Sequence, residues 1–168
     1  MYDAVAVLGE SKYDLVFTGI GAIGWLPSIE KWAGVVAGLL KPGGRLFIRE
    51  GHPMLWSLGI SKDSGEIILE TPYFETEQPQ VWDEGGTYVE TDAEFSHNVT
   101  HEWNHGLGEI VTALLSAGFE LTSLEEHDSA PWDPLPGKMT RDDQGEWRLT
   151  EQPERLPATY TLQARLRA

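Results

Sequence analysis

The sequence predicts an α/β fold, because a strand, a helix and a second strand follow one another near its N-terminus. A short apolar strand at Tyr13–Phe17 leads into a glycine-rich turn, and Pro27 and Ser28 then open a helix. The turn Lys41–Gly44 ends this helix, and a second strand follows at Arg45–Glu50. Elements of these lengths in this order form a parallel βαβ unit.

Each element of this unit carries its own local signal. The first strand is mostly apolar, as expected when both faces of a parallel sheet are covered. Pro27 suits the first helical turn, where its missing N–H is not needed, and Gly43 can take the left-handed conformation that ends a helix. Apolar residues recur at helical spacing and predict one buried stripe. The stripe consists of Ile29, Trp32, Val35, Val36, Leu39 and Leu40.

The composition limits the classes of function. The 168 residues suffice for one domain with a hydrophobic core. A net charge of −15, from 27 acidic and 12 basic residues, disfavours nucleic acid and anionic membranes as partners. The absence of cysteine excludes disulfides, a thiolate nucleophile and cysteine-ligated metal. We see no signal peptide and no run of about 20 apolar residues, so we expect a cytoplasmic protein.

Two runs resemble the fourth and fifth strands of class I S-adenosylmethionine-dependent methyltransferases. The first is Tyr13–Phe17 running into Thr18 and Gly19, and the second is Leu39–Ile48 with its Leu-Lys-Pro-Gly-Gly turn. The resemblance implies a partial Rossmann-like α/β sheet and methyl transfer from S-adenosyl-L-methionine to a small molecule. It also implies that the family's first three strands, which carry the glycine-rich cofactor loop, would precede Met1.

The resemblance also assigns candidate site residues at the carboxyl ends of these strands, where ligands of open α/β sheets bind. Histidine can take a proton from a methyl acceptor because its ordinary pKa lies near neutrality. The resemblance implies no metal. The candidates are Thr18, Gly19 and Ile20 for the cofactor, Gly21, Trp25 and Trp103 for the acceptor, and His52 and His105 for catalysis.

The rest of the chain predicts an antiparallel insertion and the end of the sheet, all within a single incomplete domain, residues 1–168. Residues 57–100 contain two β-prone runs, turn signals and many aromatic residues, and we interpret them as an insertion or lid. A helix after Gly106, a strand at 120–124 and an alternating last strand at 159–166 follow, with a long loop predicted at 130–156. The aromatic residues are Tyr73, Phe74, Trp82 and Tyr88, with Trp56 before them and Phe95 after them.

Two motifs match the sequence signatures of other classes of protein. Gly19, Gly21 and Gly24 match the dinucleotide-binding fingerprint, and Glu50 ends the next strand like a ribose-binding acid. Three residues separate the third glycine from the helix, however, so the pyrophosphate would lose its helix N-terminus.

The run from His101 through Glu102 to His105 matches a zinc-peptidase signature, which requires both histidines on one helical face. The β-prone residues before His101 favour a strand there instead.

A third alternative is a non-catalytic remnant of a methyltransferase that acts as a binding or interaction module. The evidence for this alternative is that the strands carrying the cofactor loop are not found in this sequence, since the resemblance would place them before Met1. The partners expected for the chain are a small-molecule substrate, a second copy in a homo-oligomer, or a missing N-terminal fragment.

Overall fold

The computed structural model describes residues 1–83 and 95–168, which form a mixed α/β structure. The helices of this part are α1 (Ala4–Leu8), α2 (Ile29–Leu39), α3 (Pro53–Trp56) and α4 (Leu107–Ser116). The main sheet contains β1 (Tyr13–Thr18), β2 (Leu40–Gly51), β7 (Phe119–His127) and β10 (Thr159–Leu166). Antiparallel pairs are formed by β3 (Leu58–Ile60) with β4 (Ile67–Leu69), β5 (Gln80–Asp83) with β6 (Val99–Glu102), and β8 (Met139–Arg141) with β9 (Trp147–Leu149).

The main sheet has the strand order β1-β2-β10-β7. Strands β1 and β2 are parallel, while β10 runs antiparallel to both β2 and β7. Helix α2 connects β1 to β2, which confirms the predicted βαβ unit, and the alternating segment at the end of the chain is the antiparallel strand β10. Within the described residues β1 pairs with β2 alone, so its other edge is open.

Helices α2 and α4 contact each other and cover one face of the main sheet. Ser28 caps α2, since its Oγ accepts a hydrogen bond from the backbone N–H of Lys31 at 3.3 Å. Trp32 and Ile110 bring the two helices onto buried sheet residues such as Ile48. Burying each large apolar side chain of this kind contributes about 1.5–3 kcal/mol. This core fixes the ends of β1 and β2 relative to the helices.

The opposite face of the sheet is open where β1 lies, and the prediction of two covered faces is wrong for the described residues. Leu15 and Phe17 are 49% and 63% exposed, although both are large and apolar. Phe17 stacks on Phe47 of the neighbouring strand, with ring centroids 5.9 Å apart. The apolar character of β1 therefore reflects a surface that the described helices do not cover.

Two local predictions are also wrong. Gly43 has a positive φ of 77° but lies inside β2, beside a register shift opposite β1, and does not end α2. The helix ends instead because Leu40 is extended, so the strand begins directly after it. The segment 130–156 is not a plain loop: it contains the hairpin β8–β9, and Leu135 and Met139 pack with Leu55 in a second small core.

The region interpreted as an insertion contains the pairs β3–β4 and β5–β6, and β4 coincides with one predicted strand. The other predicted strand, at residues 87–91 with Tyr88, lies outside the described residues. Phe74 and Phe95 are 68% and 50% exposed. None of the described helices has the length and apolar character needed to cross a membrane.

Candidate functional site

Three segments meet beyond the carboxyl ends of β1 and β2. They are the glycine-rich loop 19–24, residues 50–56 from the end of β2 through α3, and residues 103–105 before α4. Together they enclose a cavity of about 20 Å³, lined among others by Glu50, Trp103 and His105. A cavity of this size holds about one water molecule. The three segments are held by polar contacts between residues far apart in the sequence.

Glu50 holds the glycine-rich loop against the end of β2. Its Oε1 accepts hydrogen bonds from the backbone N–H groups of Gly21 at 2.5 Å and Gly51 at 2.8 Å. Its Oε2 accepts from Ala22 at 3.0 Å and Ile23 at 3.4 Å. The residue is 1% exposed, and burial raises the pKa of its carboxyl group, although the four N–H donors oppose this effect. Four donors fill the acceptor capacity of a carboxylate, so Glu50 positions the loop.

The dinucleotide-binding interpretation is wrong, because these same contacts occupy its groups. The loop N–H groups that would bind a pyrophosphate are donated to Glu50, and the acid that would bind a ribose is buried beneath the loop. The loop is followed by a short 3₁₀ turn at Ile23–Trp25, and α2 begins later at Ile29. The loop glycines therefore do not open α2, as the fingerprint requires.

Asn104 joins the cavity to α3 and to the start of the insertion. Its Nδ2 lies within hydrogen-bond distance of the carbonyl oxygens of Pro53 (2.8 Å) and Pro72 (3.1 Å) and of Ser57 Oγ (3.0 Å). Its Oδ1 accepts from the backbone N–H of His105 at 3.1 Å. A buried amide with all its groups paired gives the segment a single arrangement.

His105 links the cavity to the N-terminus of α2. Its Nδ1 lies 2.7 Å from Glu75 Oε2, and its Nε2 lies 2.8 Å from the carbonyl oxygen of Leu26. Both partners are hydrogen-bond acceptors, so both ring nitrogens are engaged. Glu75 Oε2 also accepts from the backbone N–H of Ile29, the first residue of α2, at 3.1 Å. The histidine is 2% exposed and ties three segments together.

His52 directly follows β2 between the cavity-lining residues Gly51 and Pro53, and it is 4% exposed. Its Nδ1 accepts a hydrogen bond from the backbone N–H of Met54 at 3.0 Å and caps α3. Its Nε2 lies 2.9 Å from Glu126 Oε1, without the alignment of a hydrogen bond. Burial lowers the pKa of His52, and the carboxylate of Glu126 opposes this shift.

The predicted acceptor and cofactor residues surround the loop. Trp103 lines the cavity, donates its backbone N–H to Gly24 at 2.8 Å, and has a buried Nε1 without a partner among the described residues. Trp25 is 53% exposed at the outer side of the loop. Thr18 is buried at the end of β1, and Ile20 beside it is 37% exposed.

The structure therefore brings Trp103 and His105 around one cavity. The other predicted site residues do not line it: Thr18, Gly19, Ile20, Gly21, Trp25 and His52. Their predicted roles stay predictions. Sequence reasoning missed the contributions of Asn104 and Glu75. Asn104 stands between two residues that were selected, but no sequence signal pairs Glu75 with a histidine 30 positions later.

The zinc-peptidase interpretation is wrong for the same region. His101 and Glu102 belong to strand β6, and residues 103–106 are irregular before α4 begins. His101 is exposed, while His105 is buried against α2. Across residues 1–83 and 95–168, no group of three or more histidine or acidic side chains is arranged to hold a metal ion.

Comparisons with known proteins bear on the fold. No protein-family model matches the sequence, and no curated protein matches it either. Among solved structures, one from Mesorhizobium loti is an S-adenosylmethionine dependent methyltransferase; it matches with a TM-score of 0.54 at 16% identity, over 93% of this chain and 62% of that one. A protein from Listeria monocytogenes, provisionally named an S-adenosylmethionine dependent methyltransferase, matches with a TM-score of 0.56 at 12% identity. This match covers 95% of this chain and 63% of that one.

The chain has the class I methyltransferase fold. Its β1, β2, β7 and β10 correspond to the fourth, fifth, sixth and last strands that the sequence resemblance implied, and β10 is inserted antiparallel between β2 and β7. The chain spans less than two thirds of the length of the two solved structures.

Proposed function

We propose that the chain takes part in methyl transfer from S-adenosyl-L-methionine to a small-molecule acceptor. The observation that carries this proposal is the loop at the carboxyl end of β1, fixed by Glu50, in a sheet with methyltransferase strand order. The matched solved structures, named as S-adenosylmethionine dependent methyltransferases, support the reaction class. Fold likeness does not identify the acceptor.

The residues at the end of β1 fit the methionine part of this cofactor. Thr18 is buried and fixes the strand end, and Gly19 and Ile20 follow it at the surface. A Cβ added at Gly21 would meet nothing within 4 Å, so the space beyond the loop is open to a ligand. When bound, the cofactor supplies a methyl group on a sulfonium, which is already a good leaving group.

The chain's contribution is to position the reacting groups, which is the main requirement for such a transfer. Trp103 offers an aromatic surface and an N–H donor to an acceptor beside the loop. In this conformation His105 has hydrogen-bond partners on both ring nitrogens, and Nδ1 of His52 is also bonded. Either histidine would have to give up a contact before it took a proton from the acceptor.

Calorimetric titration with S-adenosylhomocysteine tests the proposal. We expect saturable binding in the micromolar range, weakened about tenfold or more by Gly19→Val. The added Cβ itself would lie 3.4 Å from Phe17, which is ordinary contact, so the variant should fold. Gly34→Val is the matched control, since Gly34 is exposed on α2 with no atom within 4 Å of an added Cβ. Equal affinity of both variants contradicts the proposed placement.

The second candidate function is a non-catalytic binding module. The open edge and open face of the sheet at β1 favour it, because they offer a surface for another polypeptide. If a chain that is folded by circular dichroism does not bind S-adenosylhomocysteine, the methyl-transfer proposal fails and this candidate is favoured.

A further inference from the structure

The polar side chains at the cavity are engaged in contacts with the protein itself, and this limits the kind of methyl acceptor. A group that takes a proton from the acceptor as the new bond forms needs a free lone pair within hydrogen-bond reach. Glu50 accepts four backbone N–H groups, which fills the capacity of its carboxylate. Asn104, beside it in the lining, is an amide with partners on both Nδ2 and Oδ1. Neither residue offers a base to an acceptor.

The two histidines of this region also lack a free ring nitrogen. Nε2 of His105 lies 2.8 Å from the carbonyl oxygen of Leu26, which can only accept, so this contact requires a proton on Nε2. Nδ1 of the same ring faces Glu75 Oε2 at 2.7 Å. In His52, Nδ1 uses its lone pair to accept from the backbone N–H of Met54, which leaves the proton of the neutral ring on Nε2. Either ring would have to break a contact before it acted as a base.

Two further buried groups at this end of the sheet are proton donors. Nε1 of Trp103, a residue that lines the cavity, has no partner among the described residues, and an indole N–H can only donate. The hydroxyl of Tyr160 is likewise buried without a partner in the described part of the chain. Burial, together with the charge of Glu50, raises the pKa of Tyr160. Trp103 can therefore hold an oxygen of the acceptor, and Tyr160 keeps its proton.

The lining of the cavity favours positive over negative charge. It contains the carboxylate of Glu50, and no lysine or arginine of the described chain is part of it. The indole rings of Trp56 and Trp103 also line it, and aromatic rings attract cations. Trp56 stacks on Trp132, with ring centroids 5.6 Å apart, and packs so closely on Gly51 that a Cβ there would lie 2.6 Å from its ring. An acceptor with a negative charge would meet no cation here.

We propose that the methyl acceptor is an amine, which reacts without a protein base. The lone pair of the amine nitrogen forms the bond to the methyl carbon, and the electron pair of the S–C bond returns to sulfur, which leaves neutral S-adenosylhomocysteine. The positive charge moves to the nitrogen, and the ammonium formed from a primary or secondary amine then loses a proton to water. A hydroxyl group would need a base as the bond forms, and an ionised oxygen would bring a negative charge. The inference rests on the proposed methyl transfer and names its substrate class.

The pH dependence of methyl transfer tests whether a protein base takes part. Benzylamine, the less basic amine morpholine, and benzyl alcohol are each offered with S-adenosyl-L-methionine that carries a labelled methyl group, and label transfer gives kcat/KM. We expect both amines to react at least about a hundredfold faster than the alcohol. The midpoint of each pH–rate profile should follow the pKa of the amine itself. A midpoint common to both amines, or an alcohol that reacts as fast, would place the base in the protein and overturn the proposal.

Binding provides a second readout that does not depend on turnover. The indole N–H signal of Trp103 is followed in the ¹⁵N-labelled chain, saturated with S-adenosylhomocysteine, during titration with benzylamine or benzyl alcohol. Benzylamine should bind about fivefold more tightly. Trp56→Leu should abolish this preference, whereas Trp56→Phe, which keeps an aromatic ring, should retain most of it. Tyr13→Leu, at the opposite end of β1, should leave it unchanged.

The outcomes separate this inference from the function on which it rests. A folded chain that does not bind S-adenosylhomocysteine overturns the methyl-transfer proposal and the inference with it. A chain that binds S-adenosylhomocysteine but binds benzyl alcohol as tightly as benzylamine overturns the inference alone. Urea denaturation of the Trp56 variants establishes that a lost preference does not come from a lost fold.

Discussion

Replacing Glu50 by glutamine should loosen the glycine-rich loop and lower the free energy of unfolding. Each carboxylate oxygen accepts from one exposed residue and one buried residue: Gly21 with Gly51, and Ala22 with Ile23. Glutamine keeps one accepting oxygen, so one pair of N–H groups then faces an NH₂ group. The exposed N–H of that pair can turn to water, whereas the buried one loses its acceptor.

One unsatisfied buried donor costs about 1–3 kcal/mol, and we expect a loss of about 2 kcal/mol in Glu50→Gln. Alanine removes both oxygens and leaves two buried donors, so Glu50→Ala should lose about 4 kcal/mol. Glu50 is 1% exposed and its burial raises the pKa of the carboxyl group, so removing the carboxylate offsets part of the loss in both variants.

Urea denaturation followed by tryptophan fluorescence measures these differences. Glu151→Gln, at an exposed acid, is the matched control and should differ from wild type by less than about 0.5 kcal/mol. A Glu50→Gln variant as stable as this control would refute the reasoning, since it would mean that the four N–H groups do not need the carboxylate.

Three further predictions concern the core and the residues around the cavity. Leu114→Ala should lose about 3 kcal/mol in urea denaturation, because Leu114 is 0% exposed. Leu115→Ala, at the adjacent 45% exposed position, should lose about 1 kcal/mol or less, and equal losses would contradict the core assignment. Asn104→Ala removes the acceptor of the buried His105 N–H and the donor to the Pro72 carbonyl, and it should lose about 2 kcal/mol; wild-type stability would show that water replaces the amide. Burial lowers the pKa of His52, so the unfolded chain binds its proton more readily and stability should fall as the pH drops below about 6.5. Thermal unfolding measured across that pH range should show a smaller fall in His52→Gln. The fall should be unchanged in His97→Gln, because His97 is exposed. Identical pH profiles of wild type and His52→Gln would exclude His52 as the source of the fall.

Short-range patterns were sufficient to predict the elements of the sheet. The spacing of apolar residues and the Pro27–Ser28 start located α2 within two residues, and strict alternation located β10 at residues 159–166. These signals are local, because the side-chain periods of helices and strands appear in residues that are close together in the sequence. The misplaced role of Gly43 shows their limit, since a positive φ fits a strand irregularity as well as a helix end.

The contacts that build the site are not local, and the sequence did not reveal them. Glu50 binds residues 27 to 29 positions away, and His105 binds a carbonyl oxygen 79 positions away. A glycine fingerprint followed by an acid therefore matched a dinucleotide-binding pattern, whereas in the structure the acid holds the loop in place. The open face was missed for a related reason, because an apolar strand has the same composition whether the chain itself or a partner covers it.

The most direct test of the account is an amide chemical-shift titration of the ¹⁵N-labelled chain with S-adenosylhomocysteine. The account predicts saturable shifts at Gly19, Ile20 and Gly21, where β1 ends, and unchanged signals at Gly34 on the distant surface of α2. An unchanged spectrum, or shifts that avoid the loop, would contradict the placement of a methyl-donor site at this end of the sheet.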